Sequence, residues 1–314
     1  MILVTGATGF VGHAVCVSLS ERCPLRAAVR NKVGARLPRG VEVVEGSLSV
    51  DQDWSEAVKS ASVVIHCAAR VHVMNDNAAS PLAEFRRINV EGTLRLARQA
   101  AEAGVRRFVF LSSIKVNGES TLPGEPFMAD QTPTPTDPYG VAKYEAELAL
   151  RALGVETGLE IVIIRPVLVY GPGVKANFLS LMKWLDKGIP LPLGAIQNKR
   201  SLVALDNLVD LILTCAEHPA AANQVFLVSD GEDLSVTELL RRLGWALGKP
   251  ARLLPIPPWI LSMGAALLGK GSVSQRLCGS LQVDIRKTRE LLGWSPPVAV
   301  KEALCTTAQH YLGR

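Results

Sequence analysis

Short, unbroken apolar runs alternate along the first half of the chain with longer stretches in which apolar residues return every three or four positions. Ile2-Leu3-Val4, Leu25 to Val29, Val41 to Val44, Val63-Val64-Ile65, Phe108 to Leu111 and Ile161 to Ile164 read as strands. Val11 to Leu19, Leu82 to Ala103 and Tyr139 to Leu153 have the period of helices. Strands rich in β-branched residues with no polar alternation are buried on both faces. With helices between them, they predict a parallel sheet covered on both sides.

After Gly171-Pro172-Gly173 the pattern changes. Apolar runs shorten, and Gly and Pro multiply, as in Gly188-Ile189-Pro190 and Pro255-Ile256-Pro257-Pro258. The chain therefore divides into a nucleotide-binding unit over 1–173 and a smaller lobe built mainly from 174–314. Segments within about 201–230 (Val203 to Leu213 and Val225 to Val228) are expected to return to the main sheet. Trp259 to Leu268 is the most apolar stretch of the second half, but far short of the roughly 20 residues that span a bilayer. A buried or interfacial helix is expected there. No internal repeat or low-complexity tract is visible.

Composition narrows the picture little. The 314 residues are 48% hydrophobic and 20% charged, a balance suited to a globular fold. The net charge of +5 comes from basic residues interspersed with acidic ones, which argues against nucleic-acid binding and leaves a mild preference for anionic small molecules. A first strand at Ile2 leaves no room for a signal peptide. Cys16, Cys23, Cys67, Cys215, Cys278 and Cys305 show no metal-ligand spacing, so a reducing cytoplasm and no metal are expected.

Chemistry enters at the first turn. Thr5-Gly6-Ala7-Thr8-Gly9-Phe10-Val11-Gly12 follows the first strand and opens a helix. Gly6 permits the tight turn, Gly9 lets the backbone approach a pyrophosphate, and Gly12 allows close helix packing. Amides at the helix start then face the phosphates. The second strand ends at Arg30, where an NAD-selective site places an acidic residue; a guanidinium there suits a 2′-phosphate. NADP(H) is thus the favoured cofactor, with NAD(H) also accommodated. Downstream, Tyr139 and Lys143 stand one helical turn apart, so the ammonium can stabilise a phenolate that exchanges protons with a substrate oxygen.

Together these residues resemble the extended short-chain dehydrogenase/reductase family. The glycine motif, His66-Cys67-Ala68-Ala69, Asn89-Val90-x-Gly92-Thr93, Leu111-Ser112-Ser113, Tyr139-x-x-x-Lys143 and Arg165-Pro166-x-x-Val169-Tyr170-Gly171-Pro172-Gly173 occur in family order. The resemblance covers about residues 1–175 closely and implies a Rossmann-like doubly wound parallel sheet with a smaller C-terminal substrate-binding lobe. It makes Tyr139 the acid/base, Ser113 its partner on the reacting oxygen, and Lys143 the ribose ligand. Gly6, Thr8, Gly9, Phe10, Val11, Gly12, Arg30, Ser47, Leu48, Ala68, Ala69, Asn89 and Pro166 join them as cofactor-binding positions. His66 reads as structural. Two positions depart from the family: Ser47 replaces an Asp that reaches adenine, and Leu168 stands where sugar-active members often have Asn.

For the substrate, Arg200-Ser201-Leu202-Val203 resembles the segment whose Arg binds a sugar-linked diphosphate. Asn177-Phe178 resembles the sugar-nucleotide loop, Arg276 is a second phosphate candidate, and Lys115 lies beside Ser113. A UDP-sugar is the implied partner, and a homodimer through the helices near 82–103 and 139–153 is the assembly usual in the family. Dehydration needs an acid/base pair after Ser113, and Ile114-Lys115 supplies none. The runs 112–119 and 227–233 most resemble reductases of UDP-4-keto-6-deoxy-N-acetylhexosamines that serve surface-polysaccharide synthesis. Reduction at C4 is therefore the expected reaction. The alternatives are a UDP-glucose or UDP-GlcNAc 4-epimerase with tightly bound NAD, and a non-catalytic NADP(H) sensor.

Overall fold

A computed structural model of the chain describes residues 1–71, 80–122, 124–267 and 277–313. Its strands are β1 (Ile2–Thr5), β2 (Leu25–Val29), β3 (Glu42–Glu45), β4 (Val63–His66), β5 (Arg107–Leu111), β6 (Glu160–Pro166), β7 (Leu168–Tyr170), β8 (Arg200–Ala204), β9 (Val225–Val228) and β10 (Asp233–Leu234). Seven form one parallel sheet in the order β3-β2-β1-β4-β5-β6-β9, with Ile2 beside both Leu25 and Val63. Strand order reverses between β1 and β4, and a crevice opens outside the carboxyl ends of strands at such a switch point.

Every residue of β1, β2 and β4 is buried, including Arg26 of β2, whose guanidinium donates to the carbonyls of Glu56, Ala57 and Lys59. Alternate side chains enter different cores. Val4, Val109 and Val162 face helices α1 (Phe10–Leu19) and α7 (Leu205–Glu217). Leu3, Phe108, Phe110 and Ile163 face α4 (Gly92–Glu102) and α5 (Pro138–Thr157). Edge strand β3 differs: its two terminal glutamates are exposed, and Glu42 pairs with Arg26 at 2.9 Å. Charge on an edge discourages pairing with another chain.

A second core lies between α6 (Ala176–Asp186), α8 (Val236–Ala246) and the last helix, Val300–Tyr311. It packs against a three-stranded sheet, β10-β8-β7. The segment Val203 to Leu213 therefore splits its allegiance: β8 enters this small sheet, while α7 covers the large one. Val225–Val228 lies in the large sheet beside β6. Helical periodicity over 82–103 conceals a change of winding, because Pro81–Phe85 passes through a π-helical segment, Arg86–Glu91, before α4. Helix Pro258–Leu267 forms where expected but is mostly exposed rather than buried, and Leu268 and Arg276 lie outside the described residues. Among the described residues no helix is long and apolar enough to cross a membrane.

Candidate active site

The seven parallel strands deliver their carboxyl ends to one edge, and most of the expected cofactor residues follow those ends. Gly6 leaves β1 with φ +67°, and a Cβ there would stand 2.7 Å from the Ala68 nitrogen in the loop after β4. A Cβ on Gly12 would stand 2.3 Å from the Gly6 oxygen. These two contacts press α1 and the β4 loop onto the turn as no other residue type would permit. Gly9 is the N-cap of α1 and brings no capping side chain, so the first-turn amides are available to an anion. Thr8 and Gly9 are exposed, while Phe10 bridges the sheet core and the second-lobe core. The cradle fits a dinucleotide pyrophosphate.

Ser113 follows β5 and caps a short 3₁₀ turn, Ile114–Val116, its Oγ accepting from the Lys115 amide at 3.3 Å. Helix α5 begins directly over this turn. Asp137 is its N-cap, accepting from the Tyr139 and Gly140 amides at 3.0 and 3.2 Å, while its second oxygen accepts from Lys115 Nζ at 2.9 Å. Gly140 makes the approach possible, since a Cβ there would lie 2.8 Å from the Lys115 oxygen. One turn on, buried Lys143 donates to the Leu111 carbonyl at 2.9 Å and stands 4.4 Å from the centre of the Phe110 ring. Ser113, the start of α5 that carries Tyr139, and Lys143 are thus gathered around the end of β5.

Electrostatics correct one expectation about this group. Burial pushes the Tyr139 phenol up to about 12, with Asp137 adding to the rise. Burial also lowers Lys143 to about 8, against the opposing pull of Cys67 and Glu147. In the protein alone Lys143 does not make the phenol acidic. Its hydrogen bond goes to a backbone carbonyl, and the desolvation of Tyr139 dominates.

Several flanking residues hold this centre in place. Asn89 is fully buried, accepting from the Arg70 amide at 2.8 Å and donating to the Arg70 carbonyl at 2.9 Å. It thereby clamps the loop that carries Ala68 and Ala69. His66 lies between two threonine hydroxyls, Thr5 at 2.7 Å and Thr93 at 3.0 Å, and burial drives its pKa down to about 3. Beneath Ser113, Arg165 grips Glu147 through two nitrogens at 2.9 and 2.5 Å and donates to Asn117 at 3.0 Å. Ser112 donates to the same Glu147 at 2.5 Å. Sequence reading missed this network, although Glu147 stands four residues after Lys143 and was legible as the next turn of the same face.

Arg30 and Ser47 are exposed at the ends of β2 and β3, which the Gly46 amide joins by donating to the Val29 carbonyl at 2.9 Å. Leu48 packs under Gly92 of α4, and Pro166 closes β6 in the interior. Lys115 is drawn into ion pairs with Asp137 and Glu119, which makes it part of the frame of Tyr139. Arg200 opens β8, donates to the Gly279 carbonyl at 3.0 Å, and is lowered in pKa by burial. Asn177 is exposed in the first turn of α6.

A doubly wound sheet with a glycine cradle at its switch point and a Ser, Tyr, Lys centre beside it defines a dinucleotide-dependent oxidoreductase fold. Comparison with known proteins gives the family. The model of the NAD dependent epimerase/dehydratase family matches residues 2–229. UDP-glucose 4-epimerase of Vibrio cholerae is 51% identical over 314 residues, 99% of this chain and 95% of that protein. A solved UDP-glucose 4-epimerase from Thermotoga maritima, with UDP-glucose, is 26% identical over 99% of this chain and 98% of its own, with a TM-score of 0.79. The UDP-glucose 4-epimerase of Thermus thermophilus in complex with NAD shares the fold at a TM-score of 0.80 and 23% identity, over 99% of each chain. The chain belongs to the NAD dependent epimerase/dehydratase family, the extended short-chain dehydrogenases/reductases.

These likenesses overturn the expected 4-keto reductase. The 51% identical relative is a UDP-glucose 4-epimerase, and so is the Thermotoga maritima structure. The physical reason lies in the two runs behind the expectation. Ser112, Lys115 and Asn117 are tied into the frame just described. In the second run Asp230 accepts from Tyr170, Asn207 and the Ala204 amide, and Asp233 accepts from Ser201 and Gln282. Apart from Ser113, which a reductase and an epimerase use alike, the bonded residues of both runs are scaffold and carry little information about the reaction.

Proposed function

We propose that this protein is a UDP-hexose 4-epimerase, interconverting UDP-glucose and UDP-galactose with NAD as its resident cofactor. The observation that carries the reading is the 51% identity to a UDP-glucose 4-epimerase over nearly both whole chains. The fold's glycine cradle, with Arg30, Ser47 and Leu48 at the adenosine end and Ala68, Ala69, Tyr139, Lys143 and Pro166 at the other, holds the dinucleotide. When bound, the nicotinamide supplies a reversible hydride acceptor for sugar C4. Solved relatives in complex with NAD support that form, while exposed Arg30 leaves room for the 2′-phosphate of NADP(H).

The chain's own residues manage the proton and the substrate. Tyr139 would act as a phenolate, favoured by Lys143 and by the positive charge that bound NAD would bring beside it. It would take the proton of the C4 hydroxyl and would give a proton back to the C4 oxygen once hydride has returned to the opposite face of C4. Ser113 hydrogen-bonds that oxygen in both directions. Lys143 places a positive charge beneath them and binds the nicotinamide ribose. Arg200, at the mouth of the second lobe, pairs with the diphosphate, and Asn177 contacts the sugar nucleotide. The resemblance likewise gives Arg276 to the phosphates. Because the oxidised sugar is only an intermediate, the site must let it turn without releasing it.

Purified protein incubated with UDP-galactose and no added cofactor, followed by NMR, tests this. UDP-glucose is expected to accumulate to equilibrium, and Tyr139→Phe to lose at least ~100-fold in rate. Absence of interconversion by folded protein supplied with either NAD or NADP would refute the proposal.

A further inference from the structure

Helix Pro258–Leu267 contains no charged side chain, yet most of it faces outward. Trp259, Ile260, Met263 and Leu267 are 63%, 41%, 58% and 86% exposed, while Leu261 packs on the second-lobe core. An apolar helix of this kind, about 15 Å long at 1.5 Å per residue, is ordinarily a buried or interfacial element. The chain entering the helix pairs with an earlier loop through Leu191 to Arg252 and Leu254 to Leu191, at 2.9 and 2.8 Å. Leu254, within that pairing, and Ile189, two residues before Leu191, are also exposed.

Charge says what such a surface meets. Between Glu238 and Asp284 the chain has Arg241, Arg242, Lys249, Arg252, Lys270 and Arg276, and neither Asp nor Glu. The rest of the chain holds 28 basic side chains (34 less these six) against 29 acidic ones, so this stretch accounts for the whole positive charge. Lys249 offsets Asp186 at 2.6 Å and Arg242 pairs with Glu232 and Glu238, while Arg252 lies exposed on the approach to the helix. An exposed apolar helix led by Trp and approached by the exposed cation Arg252 suits the boundary between headgroups and acyl chains of an anionic bilayer. A second copy of the chain fits less well, because a two-fold contact sets the same cationic surface against itself.

We propose that helix Pro258–Leu267 docks the protein on the surface of an anionic phospholipid membrane. Its apolar side chains enter the acyl boundary, and Arg252 meets the headgroups. The proposal rests on this surface alone and stands apart from the reaction assigned above.

Co-sedimentation of the full chain with large unilamellar vesicles decides it. Vesicles containing phosphatidylglycerol should retain the protein at least roughly tenfold better than pure phosphatidylcholine. Retention should weaken between about 0.1 and about 1 M salt, as the screening length falls from about 10 to about 3 Å. The double variant Trp259→Ser/Met263→Ser should lose binding while epimerisation and thermal unfolding stay unchanged. Arg252→Glu, which leaves the apolar helix intact, should weaken binding by roughly tenfold and decides the matter if the double variant fails to fold. No retention by anionic vesicles, or retention indifferent to both variants, overturns the proposal. So does a lipid-free dimer in sedimentation velocity that the double variant dissolves, since a second copy would then cover the face.

Discussion

At the scale of single residues, the buried pair Glu147–Arg165 decides how firmly Ser113 is held. Both side chains are 1% exposed, and their oxygens and nitrogens also serve Ser112 and Asn117 on either side of Ser113 and its turn. Removing one partner leaves an uncompensated buried charge, at a cost of about 3–5 kcal/mol. Glu147→Gln is therefore expected to lower stability by that amount in urea unfolding, and Glu147→Met/Arg165→Met to recover much of the loss. A double variant no better than the single one would show that geometry rather than charge is at stake. His66 makes a second prediction. Its folded pKa is depressed from 6.5 to about 3, so its contribution to stability is complete above 6.5 and is lost as pH falls towards 3. NMR of the His66 ring should show no protonation between pH 8 and 5, a window in which an ordinary exposed histidine titrates. A midpoint near 6.5 would contradict the threonine-bridged arrangement.

Among elements, the tightest junction is that between β1, α1 and the loop after β4. Gly12→Ala would drive a methyl to 2.3 Å from the Gly6 oxygen, and that oxygen belongs to backbone that cannot swing aside. We expect the variant to fold, because α1 remains anchored by Val15, Cys16 and Leu19. Its dinucleotide affinity should fall at least ~10-fold, measured by titration calorimetry, since the first-turn amides no longer converge. Unchanged affinity would mean the cradle is not the phosphate site. These elements were legible in advance because unbroken apolar runs such as Val63-Val64-Ile65 require burial on both faces. Tyr139 and Lys143 were legible because their spacing places them on one helix face. What escaped was set by partners distant in sequence. The π-helical turn that aims Asn89 at Arg70 has nearly the same apolar period as a regular helix. Strands β7 and β10 are too short to show a pattern, and whether β8 joins the large or the small sheet depends on neighbours 30 or more residues away.

Across the whole molecule, the proposed reaction would draw on both the sheet edge and the second lobe. The edge carries Ser113, Tyr139 and Lys143, and the lobe carries Arg200 on β8 and Asn177 on α6. Phe10 touches both cores, so the start of the phosphate-binding helix is also where the lobes meet. In the proposed epimerase the substrate would lie between these two groups of residues, shielded from water while the oxidised sugar turns. The direct test of the account is the fate of the hydrogen on C4. UDP-glucose deuterated at C4 is incubated with the protein as purified, without added cofactor, and the UDP-galactose formed is examined by NMR and mass spectrometry. UDP-galactose that keeps its deuterium at C4 is expected. Failure to form UDP-galactose, or its formation with the deuterium replaced by solvent hydrogen, would contradict it.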